Sequence, residues 1–431
     1  MILRLSTPAV RGLLVLAALA LAAGLTDSGV RNAFGEHDAG LNTPQGLERA
    51  AQLEPDDASN WSLLGRYWQY NLEDPDVQRA IRAYQKALTI DPHSADTWLD
   101  LGTAYESKGD ITDARNAFLH AKRVYPISPE VSWRYGNFLL RQGDVDGAFA
   151  QIKQTVDVDP KRGAAAFSLG LRVDPDIRSV LDRVLPRSQA AYLAVISSLT
   201  EQGRTDQALV VWSRLDLLHP QFPLSESYPL MESLIHKRQM TEARRVWDQA
   251  LAFAGVQQPP DPPGSLVWDG GFESDVANGG LAWRYAPFIG GVRINLDSDE
   301  KHSGRRSLRL TFNGLKNVDF GDVCQYIPVQ PAASYLFSAW IQTRNLSTDQ
   351  GVRFGLHSIS DSDRSVAWTD DVRGTQPWTQ IRHRWTAGLD VRELQLCVSR
   401  QASTQSDDKI SGSAWIDDVA LVPESAENTK Q

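Results

Sequence analysis

The sequence predicts two folds in succession, an N-terminal α-solenoid of helical hairpins and a C-terminal antiparallel β-sandwich of the jelly-roll kind. Three observations predict them. Small and apolar residues recur every 34 positions through much of the first half. A proline-rich stretch then interrupts the helical pattern. Beyond it, apolar and polar residues alternate with a period of two.

The 431 residues suffice for more than one hydrophobic core, and 42% hydrophobic with 23% charged residues is the balance of a folded chain. A formal charge of −9 gives no electrostatic reason to bind nucleic acid, whose phosphates call for a basic face.

Residues 1–26 read as a signal peptide or membrane anchor. Arg4 and Arg11 precede an uncharged apolar run from Gly12 to Leu25, closed by Ala20, Ala22, Ala23 and Gly24. A run of this length suits the hydrophobic region of a signal peptide, and flanking residues would have to extend it into a spanning helix. In either case the basic end stays cytoplasmic and the remainder is exported, to the periplasm or cell envelope or as a secreted protein.

The helical array is expected over 45–254. Trp98, Leu101, Gly102, Tyr105, Ala114, Phe118, Ala121 and Pro126 form one unit, and Gly136, Ala148 and Pro160 each lie 34 residues beyond their counterparts. Trp61, Leu64, Gly65, Ala80, Tyr84, Ala87 and Pro92 make an earlier unit with a small insertion around Leu72–Val77. Small residues belong where paired helices cross closely, large apolar ones between neighbouring units, and proline where the second helix ends. The pattern loosens over Lys161–Ser188 and returns in degenerate form at Ala208, Trp212, Leu215, Pro220 and at Ala243, Trp247, Ala250. These residues resemble the tetratricopeptide repeat. The resemblance implies protein–protein interaction through the concave side, lined by the first helix of each unit, where Arg66, Tyr70, Trp133, Asn137 and Arg141 are the candidate groove residues. Their mixed chemistry does not match a basic clamp for peptide carboxylates. A plain spacer is the competing use.

Residues 255–264, GVQQPPDPPG, read as a semi-rigid linker. The β domain is expected over 265–424, followed by a disordered tail at 425–431. Leu308, Leu310, Phe312 and then Tyr335, Phe337, Ala339, Ile341 alternate with polar neighbours, as do Val352, Phe354, Leu356 and Leu394, Leu396, Val398. The order LVWDGGFES (Leu266–Ser274), Trp283, HSGRRSLRL (His302–Leu310), QPWTQI (Gln376–Ile381) and SAWIDDVALVP (Ser413–Pro423) resembles carbohydrate-binding modules of the family 4/9/22 type, a galactose-binding-like sandwich. Asp269 stands where such modules commonly have Asn.

The resemblance implies a polysaccharide or other glycan ligand, with Tyr285 and Trp368 at cleft-flanking positions. Trp340, opposite Phe337 and Ala339 on its strand, and the polar Gln325 and Arg353 complete the candidate set. Sugar rings pack their C–H faces on aromatic rings and need a few polar groups for their hydroxyls. Glu273 and Asp418 match positions where related modules hold a structural calcium ion; their alternative use is to cap strand ends. No other cofactor is implied. Trp378 and Trp415 are expected to fill the core. Cys324 and Cys397 fit either a disulfide, if the protein is exported, or two small buried core residues.

The chain has no GxSxG, HExxH, GxxxxGK[ST] or GxGxxG motif, and the scattered carboxylates of the β domain are explained by turns or calcium. The expectation is therefore a non-catalytic exported scaffold or binding protein. Its helical array would dock a protein partner and its sandwich a polysaccharide, in exopolysaccharide assembly or export. The alternatives are a structural envelope scaffold without glycan binding, and an accessory subunit of a polysaccharide-degrading system.

Overall fold

The computed structural model describes residues 8–41, 43–360 and 364–424. Arg4 and the tail at 425–431 lie outside the described residues. Two compact units divide the chain, Met1–Ala191 and Tyr192–Gln431.

The first unit is helical, with α1 (Pro8–Gly40), α2 (Pro44–Leu53), α3 (Ala58–Tyr70), α4 (Val77–Ile90), α5 (Ala95–Lys108), α6 (Ile111–Val124), α7 (Pro129–Arg141), α8 (Val145–Val158), α9 (Gly163–Val173) and α10 (Ile177–Val184). Helix α11 (Gln189–Glu201) crosses the boundary. The pairs α3/α4, α5/α6 and α7/α8 are the three predicted repeats. Their glycines sit where the paired helix comes close. A Cβ on Gly65 would lie 2.5 Å from the Tyr84 ring, one on Gly102 3.1 Å from Phe118, and one on Gly136 3.0 Å from Ile152. The signature tryptophans repeat a bond as well. Trp61 Nε1 donates to the Pro55 carbonyl at 3.1 Å, and Trp98 Nε1 to the Pro92 carbonyl at 2.9 Å. Asp57, Asp76, Ser94, Ser128 and Asp144 cap helix starts with their side-chain oxygens.

Helix α1 carries the exposed apolar run, and Gly12–Gly40 is long and apolar enough to cross a membrane by length and composition. The same helix continues without a break until it packs on α2. Gly46 has no room for a Cβ against the Asp38 carbonyl, and Ala39 joins the core of the first repeat. Helical packing therefore begins before residue 45.

The second unit contains α12 (Thr205–Asp216), α13 (Tyr228–His236), α14 (Met240–Phe253) and the sandwich. Its strands are β1 (Phe288–Ile289), β2 (Val292–Asp297), β3 (Ser307–Asn313), β4 (Phe320–Pro328), β5 (Ser334–Leu346), β6 (Arg353–Ile359), β7 (Val366–Trp368), β8 (Gly374–Thr386), β9 (Glu393–Arg400) and β10 (Ser411–Pro423). They form a six-stranded sheet, β1-β2-β3-β10-β5-β8, and a four-stranded sheet, β4-β9-β6-β7, all antiparallel. The alternating residues named above fill the space between them, with Phe337, Phe354, Leu356, Leu394, Leu396 and Val398 fully buried. The DGGFE opening explains itself locally. Asp269 is left-handed at φ 56°, a conformation Asp and Asn tolerate, and a Cβ on Gly270 would meet the Val419 carbonyl at 1.9 Å.

The proline-rich segment connects α14 to the sandwich without separating them. Asp261 accepts the N–H groups of Asp269 and Gly270, both at 2.8 Å. Trp247 of α14 meets Trp268 edge-on at 5.4 Å, and Gly280 lies so close to the Trp247 ring that a Cβ would come within 2.3 Å. The last helical hairpin thus shares a compact unit with the β domain, and the chain divides after Ala191 rather than at the prolines. Local turn chemistry marks the prolines, whereas the Trp247 and Trp268 contact joins residues far apart in the pattern.

Candidate functional site

In the helical unit, four of the five predicted groove residues line one cavity of ≈ 440 Å³: Tyr70, Trp133, Asn137 and Arg141. The fifth, Arg66, reaches its wall by donating from Nε to Asp100 at 2.6 Å. Asp100, Thr103, Glu130 and Arg134 also line it. Arg134 donates to the other Asp100 oxygen at 2.9 Å and to Thr103 Oγ1 at 2.9 Å. Asp100 and Arg134 each lie two residues before a repeat glycine, Gly102 and Gly136, so the 34-residue period was the signal that contained them, whereas Arg66 follows Gly65 and is equivalent to Thr103. Arg141 grips Glu106 with two bonds of 2.7 Å, and Glu130 pairs with Arg162 at 3.0 Å. The charges of the groove are paired, with Asp100 shared between Arg66 and Arg134. Burial pushes the Tyr70 hydroxyl above the usual tyrosine range, and the Asp100 charge adds to it. The groove therefore offers exposed aromatic surface and hydrogen-bonding groups, a surface suited to an extended segment.

The predicted glycan residues do not form one site. Trp340 is on β5 in the six-stranded sheet and Trp368 on β7 in the four-stranded sheet, so their outward faces point away from each other. The reason is topological: strand parity tells inside from outside but not which sheet a strand joins. Trp340 is moreover covered by His302, with ring centroids 3.9 Å apart and planes at 16°. Gln325 is 1% exposed and spends its amide on the backbone of Trp268, accepting from its N–H at 3.0 Å and donating to its carbonyl at 2.8 Å. Tyr285 packs against the core, and burial raises its hydroxyl pKa.

Trp368 and Arg353 do share a face. Paired residues on neighbouring strands point the same way, and one row runs Trp368, Gly355, Cys397, Cys324, Arg284 across the outside of the four-stranded sheet. Trp368 keeps 36% of its surface exposed at the β7 edge. Its ring lies over Gly355, where a Cβ would come within 2.8 Å of it. The middle of the row is low, because Cys324 and Cys397 face each other across β4 and β9 and form a disulfide. Longer side chains flank it: His357, Gln395 and Tyr326 in the next row on one side, Arg353 on the other. Burial holds the His357 imidazole below the usual histidine range, so it is uncharged at neutral pH. Arg353 is held by Asp371 at 3.3 Å. Burial would raise Asp371, but bonds from Arg373 and the Gly351 N–H, with the charge of Arg353, hold its carboxyl below the ordinary range. His357, Gln395 and Tyr326 escaped the sequence reading. Alternation with the core residues of their own strands would have placed them outward.

Glu273 and Asp418, the candidate calcium pair, each accept hydrogen bonds within the protein. Glu273 accepts the N–H of Arg305 at 2.7 Å and of Arg306 at 3.2 Å, and pairs with the Arg305 guanidinium at 3.0 Å. Burial opposes its charge, yet these donors hold its carboxyl below the usual range. Asp418 bonds Ser303 Oγ and His302 Nδ1, both at 2.6 Å. Among the described residues no group of three or more His, Cys, Asp or Glu gathers to hold a metal. The two carboxylates act as acceptors that fasten the 302–306 loop. Nor does Trp415 join the core between the sheets. It lies on the outer face beneath Arg309 and Arg344, at 5.0 and 4.9 Å, with Nε1 on Asp297 at 2.9 Å.

Comparison with known proteins places one segment in a family: residues 72–132 match the sequence model described as Tetratricopeptide repeat. Human tetratricopeptide repeat protein 33 is 31% identical over 90 residues, which are 21% of this chain and 33% of that protein. Protein bimA of Emericella nidulans is 30% identical over 91 residues, 21% of this chain and 10% of that protein. The chain spans a third or less of the length of these relatives. Among solved structures, the tetratricopeptide-repeat protein YrrB, described as having an unusual peptide-binding site, aligns at 16% identity over 49% of this chain and 94% of its own, with a TM-score of 0.26. The C-terminal family 22 carbohydrate-binding module of Clostridium thermocellum Xyn10B aligns at 16% identity over 38% of this chain and 96% of its own, with a TM-score of 0.28. The chain thus carries a segment, residues 72–132, that matches the tetratricopeptide repeat, within a helical half that is followed by an antiparallel β-sandwich.

Proposed function

We propose that the protein is a non-catalytic, exported binding protein, held at a membrane through α1, that joins a protein partner to a polysaccharide. The groove over α3, α5 and α7 takes an extended segment of the partner. The outer face of the four-stranded sheet takes the glycan. The observation that carries the second assignment is the exposed Trp368 ring at the end of a low row, flanked by the uncharged polar groups of His357, Gln395 and Tyr326. A pyranose needs that combination of one ring face and several neutral hydrogen-bonding groups. Export is supported by the apolar helix and by the paired cysteines, since disulfides persist in oxidising compartments. A role in exopolysaccharide assembly or export is supported by the combination of the two binding surfaces with a membrane helix.

Affinity electrophoresis of the full chain through gels containing soluble polysaccharides tests the glycan assignment. Retardation by at least one polysaccharide, lost in Trp368→Ala with unchanged circular dichroism, is the expected result. Equal mobility in every gel would leave the second reading, an envelope scaffold without glycan binding. That reading is favoured by Gln325, Tyr285 and Trp340, all of which serve contacts within the protein.

A further inference from the structure

We infer that the glycan is taken by one end of its chain, because helix α13 closes the far end of the groove; this rests on the glycan assignment above. The row that begins at Trp368 stops at Arg284. Since Arg284 pairs with Cys324, its side chain rises on the same outer face. Its guanidinium lies over the Tyr326 ring at 5.1 Å. Glu232 of α13 fixes it there with bonds of 3.0 and 2.7 Å, and the Gly280 carbonyl accepts a third at 2.7 Å. A helix side chain therefore stands above the sheet where an internal segment of a long polymer would have to leave the groove.

Glu393, an outward position two residues before Gln395 on β9, is only 3% exposed, and the charge of Arg238 in the α13–α14 turn acts on it. At the other end β7 is the last strand of its sheet, and Trp368 is exposed there. The row crosses four inter-strand spacings, about 19 Å, the reach of a short oligosaccharide. Both guanidinium groups near it are paired, Arg284 with Glu232 and Arg353 with Asp371, which Arg373 shares. Glu232 becomes a specificity-determining residue: it acts through Arg284 and decides where the chain must stop.

The test uses the full-length protein and size-fractionated series of xylan, β-1,3-glucan, β-1,4-glucan and chitin oligomers. Protein bound at saturation per gram of the retained series is expected to double when mean chain length is halved, because ends double while mass does not change. Binding per gram that is independent of length would overturn the inference and leave the glycan assignment standing. Retention by no series would overturn both. In Glu232→Ala the stop is removed and binding per gram is expected to become independent of length. Persistence of the end dependence in that variant, with helix content unchanged, would overturn the role given to Glu232.

Discussion

Asp100 lies 34 residues after Arg66 and accepts its Nε at 2.6 Å, and the residue 34 further on, Arg134, holds the other oxygen of the same carboxylate. One carboxylate, only 6% exposed, thereby ties three consecutive repeats together. Replacing it with Ala strands two guanidinium groups at the groove wall. Because Arg66 is half-exposed, water screens part of the loss, and the expected destabilisation is about 2 kcal/mol. Urea unfolding of the helical unit followed by circular dichroism reads it, and Asp100→Asn is expected to lose less than Asp100→Ala.

The repeat glycines predict a ranking. A methyl group on Gly65 meets the Tyr84 ring at 2.5 Å, whereas on Gly102 it meets Phe118 at 3.1 Å. Gly65→Ala must displace a ring whose hydroxyl is also bonded to Gln69, while Gly102→Ala needs a shift of a few tenths of an ångström. The expected losses are about 2 kcal/mol for the first and under about 1 kcal/mol for the second. Equal midpoints for the two variants in a thermal melt would contradict this packing account.

These helical features were the most legible part of the sequence, because period and signature act locally and each repeat restates them. Gly65, Gly102 and Gly136 were located from spacing alone, and so were four residues of one cavity. The β domain was legible in its alternation but not in its partnering. Trp340 and Trp368 are both outward residues, and only the strand order, set by contacts across the whole sandwich, shows that they belong to opposite faces. Gln325 was misjudged for a related reason. A polar residue on a strand is compatible with ligand binding until the backbone of Trp268 is seen to use both ends of its amide. The contact of Trp247 with Trp268, which binds the last hairpin to the sandwich, has no signature in either local pattern.

The disulfide joins residues separated by 73 positions, and closing a loop of that size in the unfolded chain is worth about 4 kcal/mol. A Cys324→Ser, Cys397→Ser variant is expected to unfold at lower urea concentration than the parent. Treating the parent with reductant should move its midpoint to that of the variant. An unchanged midpoint after complete reduction, checked by thiol titration, would show that the bond contributes nothing to stability.

Three buried carboxylates predict a pH dependence. Burial pushes Glu393 and Asp269 up to about 7 and Asp417 up to about 6. Each binds its proton more tightly folded than unfolded, so its stabilising share is complete below the unfolded value near 4 and is lost as pH rises through 6–7. The melting temperature of the β-containing unit should therefore fall between about pH 5 and about pH 8, and Glu393→Gln should flatten part of that slope. A melting temperature that rises over this interval would contradict the assignment.

The bond between Cys324 and Cys397 is also a safeguard on the shape of the groove. Either cysteine changed alone leaves a lone thiol and a weakened sheet, so neither position can drift by single steps toward a bulkier side chain. Loss of the low centre of the face would then require two coincident changes, and descendants of this protein should keep both cysteines or lose both together.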